Sequence, residues 1–515
     1  MTAENGYSQR IIRNTVFNIA GRAWGLLVVL FLTPYVISCL GIERFGVWVL
    51  LEALISQFGL VDLGFNFSFI KYIAEYDAQK DHDKINQVIN TGFICYLLVA
   101  LIVILGGFLL IEYFIKLLNI PAPLHAETRF AFSIGIVIFA ISQIFNPLNA
   151  LQLGLQRYDI ANKIVLALSV PQIAGTIFFL SRGYGITGLV INTAIIRILM
   201  VMVNLFFAFR LFPDLRLNLF SFAPGMFKRI FTIGYKIQIT TVADWIQGQM
   251  NKFFLAYFLA IDAVSYFTAP NNLASRVREI PVWLTSALLP AASVLETQTR
   301  KESISRLYYY AMKYTVLVLM PLTAAIVLFA YPFIKLWLGE GFVRSSLTLQ
   351  FLAIGCFFNA LTAPAFFILN GLGKPKYAMN SAVIAVIINL TVSIGLVHKI
   401  GYMGIVTGVV CSYSVSAVYF IIMANRIIGV SWTELIKKIM FKPFLVCAAV
   451  FWAAGSLVRR MELFTWWSLF SAGLLFLVCT GLLIFFSGYF DAQDKAVVGT
   501  IVSHLRFLRP RERKL

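Results

Sequence analysis

Apolar residues run along this chain in blocks of about 20, the length that crosses the hydrocarbon core of a bilayer as a helix rising 1.5 Å per residue. Fourteen such blocks alternate with short polar interruptions, at 14–38, 45–70, 87–115, 129–154, 160–181, 186–210, 230–257, 263–294, 310–337, 345–371, 378–398, 403–424, 443–458 and 464–489. Each predicts a transmembrane helix, and the fold class follows: an all-α polytopic membrane protein. An even number of spans puts both termini on one side.

The pattern also repeats. The quartet FIKL occurs at Phe114 in EYFIKLLNI and at Phe333 in YPFIKLWLG, an offset of 219 that chance alone could give in so apolar a chain. The same offset links LGIERFG from Leu40 to LAIDAVS from Leu259. Pro147, Gly154, Leu155 and Arg157 match Pro364, Gly371, Leu372 and Lys374 at 217, and Gly183 and Tyr184 match Gly401 and Tyr402 at 218. Spans one to six and seven to twelve therefore read as two copies of one unit. Six spans per copy is an even number, so the copies enter the membrane in one direction and predict two lobes related by a pseudo-twofold axis along the membrane normal, around a central cavity. The expected organisation is an N-lobe at 1–211, a C-lobe at 229–425, two extra spans within 443–490 and a basic cytoplasmic tail at 491–515. Cytoplasmic linkers at 212–228 and 426–442 mix large apolar residues with Lys and Arg and predict amphipathic helices on the inner leaflet. The second begins with a capping-box pattern, Ser431 and Glu434, ahead of Leu435, Ile436 and Ile439.

Composition agrees with the spans: 60% hydrophobic residues, 13% charged, and a mean hydropathy of +0.84. With the N-terminus inside and residues at span ends counted with the adjoining segment, about 27 of the 42 Lys and Arg fall in cytoplasmic segments, 9 in outer loops and 6 in span interiors, the asymmetry of the positive-inside rule. Both termini are thus expected in the cytoplasm. The first apolar run follows Arg10 and Arg13 and is too long for a cleaved signal segment, so it reads as a retained helix. The net charge of +19 gathers beside spans and in the tail HLRFLRPRERKL, which points to anionic membrane lipids as partners and not to nucleic acid. Cys39, Cys95, Cys356, Cys411, Cys447 and Cys479 form no C-x-x-C pair, and the four His are scattered. No metal site and no cofactor is expected.

Ten ionisable residues fall in the interior of the spans, away from their ends: Arg22, Arg197, Lys236, Lys252, Arg276, Arg278, Glu52, Asp62, Asp244 and Glu279. A charge at the bilayer centre costs roughly 3 kcal/mol on insertion scales, so these side chains need a wet cavity or a partner. Polar or small residues recur with them at helical spacing: Asn14, Asn18, Arg22 and Gly25 in span one, and Lys236, Thr240, Asp244, Gln247 and Asn251 in span seven, its repeat partner. Glu52, Ser56, Gly59, Asp62 and Asn66 mark span two, and Asn271, Ser275 and Arg278 span eight. Pairing across packed helices is one reading. A shared cavity is the other, with Arg22, Arg278, Arg197, Lys236, Asn18, Glu52 and Asp62 as its candidate lining. Six basic against four acidic residues favour an anionic cargo. Trp24, Tyr235, Trp245 and Trp283 lie near the stripes and could stack on sugars. Asp244, with Asn380, Asn389 or Thr407 from spans eleven and twelve, is the candidate for binding a coupling cation.

Catalytic chemistry is missing from the pattern. NGLGKPKYA lacks the spacing and the Ser or Thr of a phosphate-binding loop, and the outer loops are short, the longest being NIPAPLHAE. The chain reads as a transporter and not as an enzyme. Its early run NTVFNIAGRAWGLLVVLFLTPYVISCLGIERFGVWVLLEALISQFGLVDLGFNFSFIKYIAEY, with the LGIERFGVW hairpin, the DLG before a basic residue and LQLGLQRYDIAN after span four, resembles the polysaccharide-repeat flippases of the Wzx type. These belong to the multidrug/oligosaccharidyl-lipid/polysaccharide superfamily. The resemblance covers nearly the whole chain and implies alternating-access transport of undecaprenyl-diphosphate-linked oligosaccharide across a bacterial cytoplasmic membrane, for O-antigen or exopolysaccharide synthesis. It further implies that Arg22 and Arg278 hold the diphosphate, and that a polysaccharide polymerase and chain-length proteins are candidate partners. The alternatives are an ion-coupled multidrug exporter of the same superfamily, working through Asp62 or Asp244, and a polysaccharide polymerase, which would need a long outer loop.

Overall fold

The computed structural model describes residues 24–58, 65–218, 221–285, 288, 292, 295, 301–458, 465–491 and 494, and among them the regular structure is helical throughout. The first copy contributes α1 (Trp24–Leu40), α2 (Ile42–Phe58), α3 (Phe65–Ala78), α4 (His82–Leu117), α5 (His125–Ile144), α6 (Asn146–Gly154), α7 (Tyr158–Ser181) and α8 (Gly185–Leu211). The second contributes α9 (Pro224–Phe258), α10 (Ile261–Ala274), α11 (Arg276–Thr285), α12 (Lys301–Leu338), α13 (Ser345–Ala360), α14 (Ala363–Gly371), α15 (Lys376–Ile400) and α16 (Tyr402–Ile428). Then follow α17 (Trp432–Glu434), α18 (Phe441–Val458) and α19 (Trp466–Phe486).

Ten of the described helical segments are long and apolar enough to cross a membrane, and they coincide with expected spans three to six and nine to fourteen. The remaining four expected spans are the ones that carry polar stripes. Their charges lower the hydropathy of α9 and α11, and spans one, two and eight extend beyond the described residues.

The duplication is visible in local geometry. α6 has a proline in its first turn and ends where Gln156 turns left-handed (φ 57°) and the Arg157 N–H donates to Gln152 O at 2.9 Å. α14 repeats this 217 residues on: a proline in the first turn, Gly373 at φ 68°, and the Lys374 N–H on Leu369 O at 2.8 Å. Both hydrogen bonds close the helix end on a carbonyl that lacks an intrahelical partner. α8 and α16, the last helices of each copy, are both 27 residues long.

Two expectations about the linkers are corrected. Residues 212–218 and 221–223 are not helical. Asn86 donates to Asp214 O at 2.9 Å and accepts from the Arg216 N–H at 2.8 Å, while Asn90 donates to Arg216 O at 2.9 Å and accepts from the Asn218 N–H at 2.9 Å. Two amides on α4 thus replace the hydrogen bonds a helix would have made. After α16, Ser431 makes no side-chain cap; its hydroxyl contacts Thr433 Oγ1 at 3.4 Å, and Glu434 pairs with Lys438 at 2.7 Å. The chain then passes through a π-helical turn, Leu435–Met440, directly into α18, so no separate surface helix forms there.

The protein packs as two compact units: residues up to 272 with 382–409, and residues 273–381 with those from 410 onward. In the first unit, rings of α3 and α4 form the core, with Phe69 and Tyr96 at 5.7 Å and Phe65 and Tyr96 at 6.2 Å between centroids. In the second, α18 and α19 lie on α12, where Phe329 meets Phe476 at 6.1 Å and Phe333 meets Trp466 at 5.8 Å. One end of that packing carries an ion cluster. Lys313 on α12 donates to Asp494 Oδ2 at 2.5 Å and to Asp491 Oδ2 at 3.0 Å, and Tyr314 donates to Asp494 Oδ1 at 2.8 Å.

Candidate functional site

Within the first unit, α2, α5, α6 and α8 enclose a cavity of 430 Å³. Its wall exists because the fourth span is broken: Phe145 leaves helical geometry (φ −93°, ψ 4°) and Pro147 restarts the helix as α6. A proline in a first helical turn needs no N–H partner. The break leaves Gln143, Asn146 and Asn149 on the cavity wall beside Glu52 of α2 and Arg197 of α8. Asn146 donates to the Tyr96 hydroxyl at 3.2 Å and to Gln143 Oε1 at 3.4 Å.

Glu52 and Arg197 are both exposed to the cavity. The charges that act on Glu52 are the ammonium of Lys252, on α9, and the guanidinium of Arg197. Among the described residues none of the three belongs to a close ion pair. Opposite charges around an accessible space, without direct contact, leave hydrogen-bonding capacity for a polar guest.

α9 carries buried polar atoms as well. Trp245 Nε1, Gln247 Nε2, Gln249 Oε1 and Asn251 Oδ1 are buried and have no partner among the described residues. Buried polar atoms in native proteins nearly always find a partner in protein or ordered water. At 100° per residue Trp245 and Gln249 lie on one side of α9 and Gln247 and Asn251 on the other, so these atoms do not form a single face. Lys236 and Asp244 belong to this helix, but their side chains lie outside the described residues, as do Asn18, Arg22 and Asp62 entirely. The side chains of Tyr235 and Trp283 lie outside them too, and the Trp24 indole donates to Ser169 Oγ at 3.0 Å.

Arg278 stands in the second unit, on α11. Its Nη1 donates to the Tyr413 hydroxyl at 2.9 Å, and its Cζ is 4.9 Å from the centroid of that ring. Arg276 instead pairs with Glu279 at 2.8 Å, one turn along the same helix. That pair is neutral, and removing it from the ten intramembrane charges leaves five basic against three acidic, so the cationic surplus persists. The coupling candidates are dispersed. Asn389 accepts from Ser393 Oγ at 3.0 Å and Thr407 Oγ1 donates to Met403 O at 2.7 Å, both in the first unit. Asn380 reaches the Tyr419 hydroxyl at 3.4 Å in the second. Asn380 and Asn389 share the unbroken α15 and are about 13 Å apart along its axis, too far for one ion to take both.

Reading charges alone missed Gln143, Asn146 and Asn149. Their signal was present as polar residues at every third position of QIFNPLNALQ.

Comparison with known proteins places this architecture. A Shigella flexneri protein provisionally named an O-antigen transporter is 25% identical over 403 residues, covering 76% of this chain and 93% of the relative. The lipid II flippase MurJ in an inward closed conformation superposes with a TM-score of 0.69 at 15% identity, over 92% of this chain and 99% of that one. An inward-facing multidrug resistance MATE family transporter of the MOP superfamily superposes at 0.67 with 17% identity, over 78% and 94%. At such identities the solved structures establish a shared fold. The family model described as polysaccharide biosynthesis protein matches residues 39–347, more than half of the chain, and the protein belongs to that family.

Proposed function

We propose that this protein flips an undecaprenyl-diphosphate-linked oligosaccharide across a bacterial cytoplasmic membrane by alternating access, supplying surface polysaccharide synthesis. The observation that carries the reading is the cationic surplus among the intramembrane charges of the sequence, in a chain of the polysaccharide biosynthesis family with a polar cavity at Glu52 and Arg197. A diphosphate entering a membrane protein must exchange hydration for cationic donors, and guanidinium groups give it paired hydrogen bonds. Arg22 and Arg278 are assigned that role, with Arg197 and Lys236 adding positive potential. Glu52, Asp62, Asn18 and the amides at Gln143, Asn146 and Asn149 face the sugars. The Shigella relative's name supports this cargo class. Coupling to a cation gradient through Asp244, with Asn389 and Thr407, completes the cycle, and a polysaccharide polymerase with chain-length proteins receives the product on the outer side.

In this topology both termini are cytoplasmic, and residues 1–211 and 229–425 form the two lobes. The test is complementation of a strain lacking the gene, scoring surface polysaccharide beside membrane abundance. Arg278→Ala should lose polysaccharide at unchanged abundance and Arg278→Lys should restore part of it. Full polysaccharide from Arg278→Ala would remove that residue from the cargo site.

A further inference from the structure

Between α7 and α8, at the ends that the topology above puts in the cytoplasm, lies an open groove of 690 Å³ within the first unit. Its floor is apolar for a structural reason. Ile160, Ile164 and Leu168 succeed one another at intervals of four residues on α7, and Val203, Phe207 and Leu211 do the same on α8, so each helix turns one continuous apolar row into the groove. Eight residues of helix make that row about 12 Å long.

The mouth is different. Arg157, Lys163 and Arg210 stand there with a single carboxylate, Asp159, which is already engaged by Arg157 Nε at 3.1 Å and Nη2 at 3.4 Å. Lys163 and Arg210 are exposed and belong to no salt bridge among the described residues. A soluble anion would use the cations and leave the apolar rows bare, and a neutral lipid would use the rows and leave the cations bare. One molecule satisfies both, a membrane lipid with a negative headgroup, because basic pockets between helices at the cytoplasmic surface match such headgroups.

We propose that this groove binds an acidic phospholipid of the surrounding bilayer, with its phosphate at Lys163 and Arg210 and an acyl chain along the rows from α7 and α8. The site is separate from the cavity at Glu52 and Arg197 and does not depend on the cargo assigned to that cavity. Bound lipid would tie α7 and α8 to the inner leaflet.

The experiment is native mass spectrometry of the full-length protein in detergent, titrated with dioleoyl phosphatidylglycerol and, separately, dioleoyl phosphatidylcholine. The wild type should retain its first phosphatidylglycerol about thirty-fold better than phosphatidylcholine, the scale expected for two surface cations. Lys163→Gln with Arg210→Gln should bring the two lipids near parity, and Lys163→Gln alone, a change at an exposed side chain, should lower the preference about five-fold. An unchanged preference in the double variant overturns the proposal. So does displacement of the lipid by equimolar inorganic pyrophosphate, which would make this a soluble-anion site, or by equimolar undecaprenyl diphosphate, which would make it a cargo site.

Discussion

Gly46 and Ser265 sit 219 positions apart, at equivalent places in the two copies, and they meet. Ser265 Oγ donates to Ile42 O at 2.6 Å, while a Cβ placed on Gly46 would lie 2.3 Å from Ile261 O and 3.1 Å from Ser265 Oγ. Ile42 and Ile261 are equivalents too, so exchanging the copies maps this contact onto itself, the signature of a local twofold. It joins the starts of α2 and α10, at the outer face in the topology proposed above.

Only glycine fits at position 46, because the obstacle is a carbonyl of the opposing backbone. Gly46→Leu should reduce transport and thermal stability strongly, and Ser265→Ala only slightly. Even Gly46→Ala brings a Cβ against the Ile261 carbonyl, so it should act in the same direction as Gly46→Leu, and wild-type export and melting temperature from Gly46→Ala would mean that the close approach of α2 and α10 is not needed here. Surface polysaccharide beside membrane abundance is the readout.

The Lys313 cluster makes a prediction about stability. Lys313 and Asp494 are 3% and 1% exposed, so Asp494→Asn leaves the buried ammonium with the half-exposed Asp491 alone and should cost about 3 kcal/mol, whereas Lys313→Met with Asp494→Leu, which removes both buried charges, should cost less. Burial pushes the Asp491 carboxyl up, but the Asp494 N–H and the Lys313 ammonium outweigh burial and hold it at about 2, below its ordinary 3.8. Its contribution is therefore complete above about pH 4 and is lost as pH falls from there toward 2. Thermal unfolding in detergent across that range should steepen for the wild type and flatten for Asp491→Asn.

The amides on α4 predict a protease phenotype. Four residues of helix rise 6 Å and two of extended chain about 6.6 Å, so Asn86 and Asn90 can each serve alternate residues of the 214–218 segment. Asn86→Ala with Asn90→Ala leaves four backbone groups of that segment without these partners. Limited proteolysis of inside-out vesicles should then cut at 212–223 several-fold faster than in the wild type, and an unchanged rate would show that the amides do not hold it.

What the residue pattern disclosed depended on how far its causes reach along the chain. Apolar spans are legible because one helix length and one solvent decide them. The first part of the 212–228 linker is extended where a helix was expected, although DLRLNL alternates with period two, the pattern of extended chain, and the amides that fix it are about 130 residues away. Ser431 and Glu434 had capping-box spacing, yet Lys438 offered Glu434 a full charge one turn on. Glu52 and Arg197 announced themselves as charges in apolar runs, whereas Gln143 and Asn146 carry none and passed for ordinary helix surface. The pairing of Lys313 with Asp491 and Asp494 joins residues 178 and 181 positions apart, and nothing local to either end reveals it.

The central claim is that intramembrane arginines carry an anionic lipid-linked oligosaccharide. Its most direct test uses purified protein in liposomes loaded on both leaflets with a fluorescent undecaprenyl-diphosphate oligosaccharide, where an impermeant quencher reports how much lipid reaches the outer leaflet. The wild type should expose inner-leaflet lipid to the quencher within minutes, and Arg22→Ala with Arg278→Ala should fall to the rate of protein-free liposomes while reconstituting equally well. Equal rates for wild type and double variant, or a wild type no faster than protein-free liposomes, would contradict it.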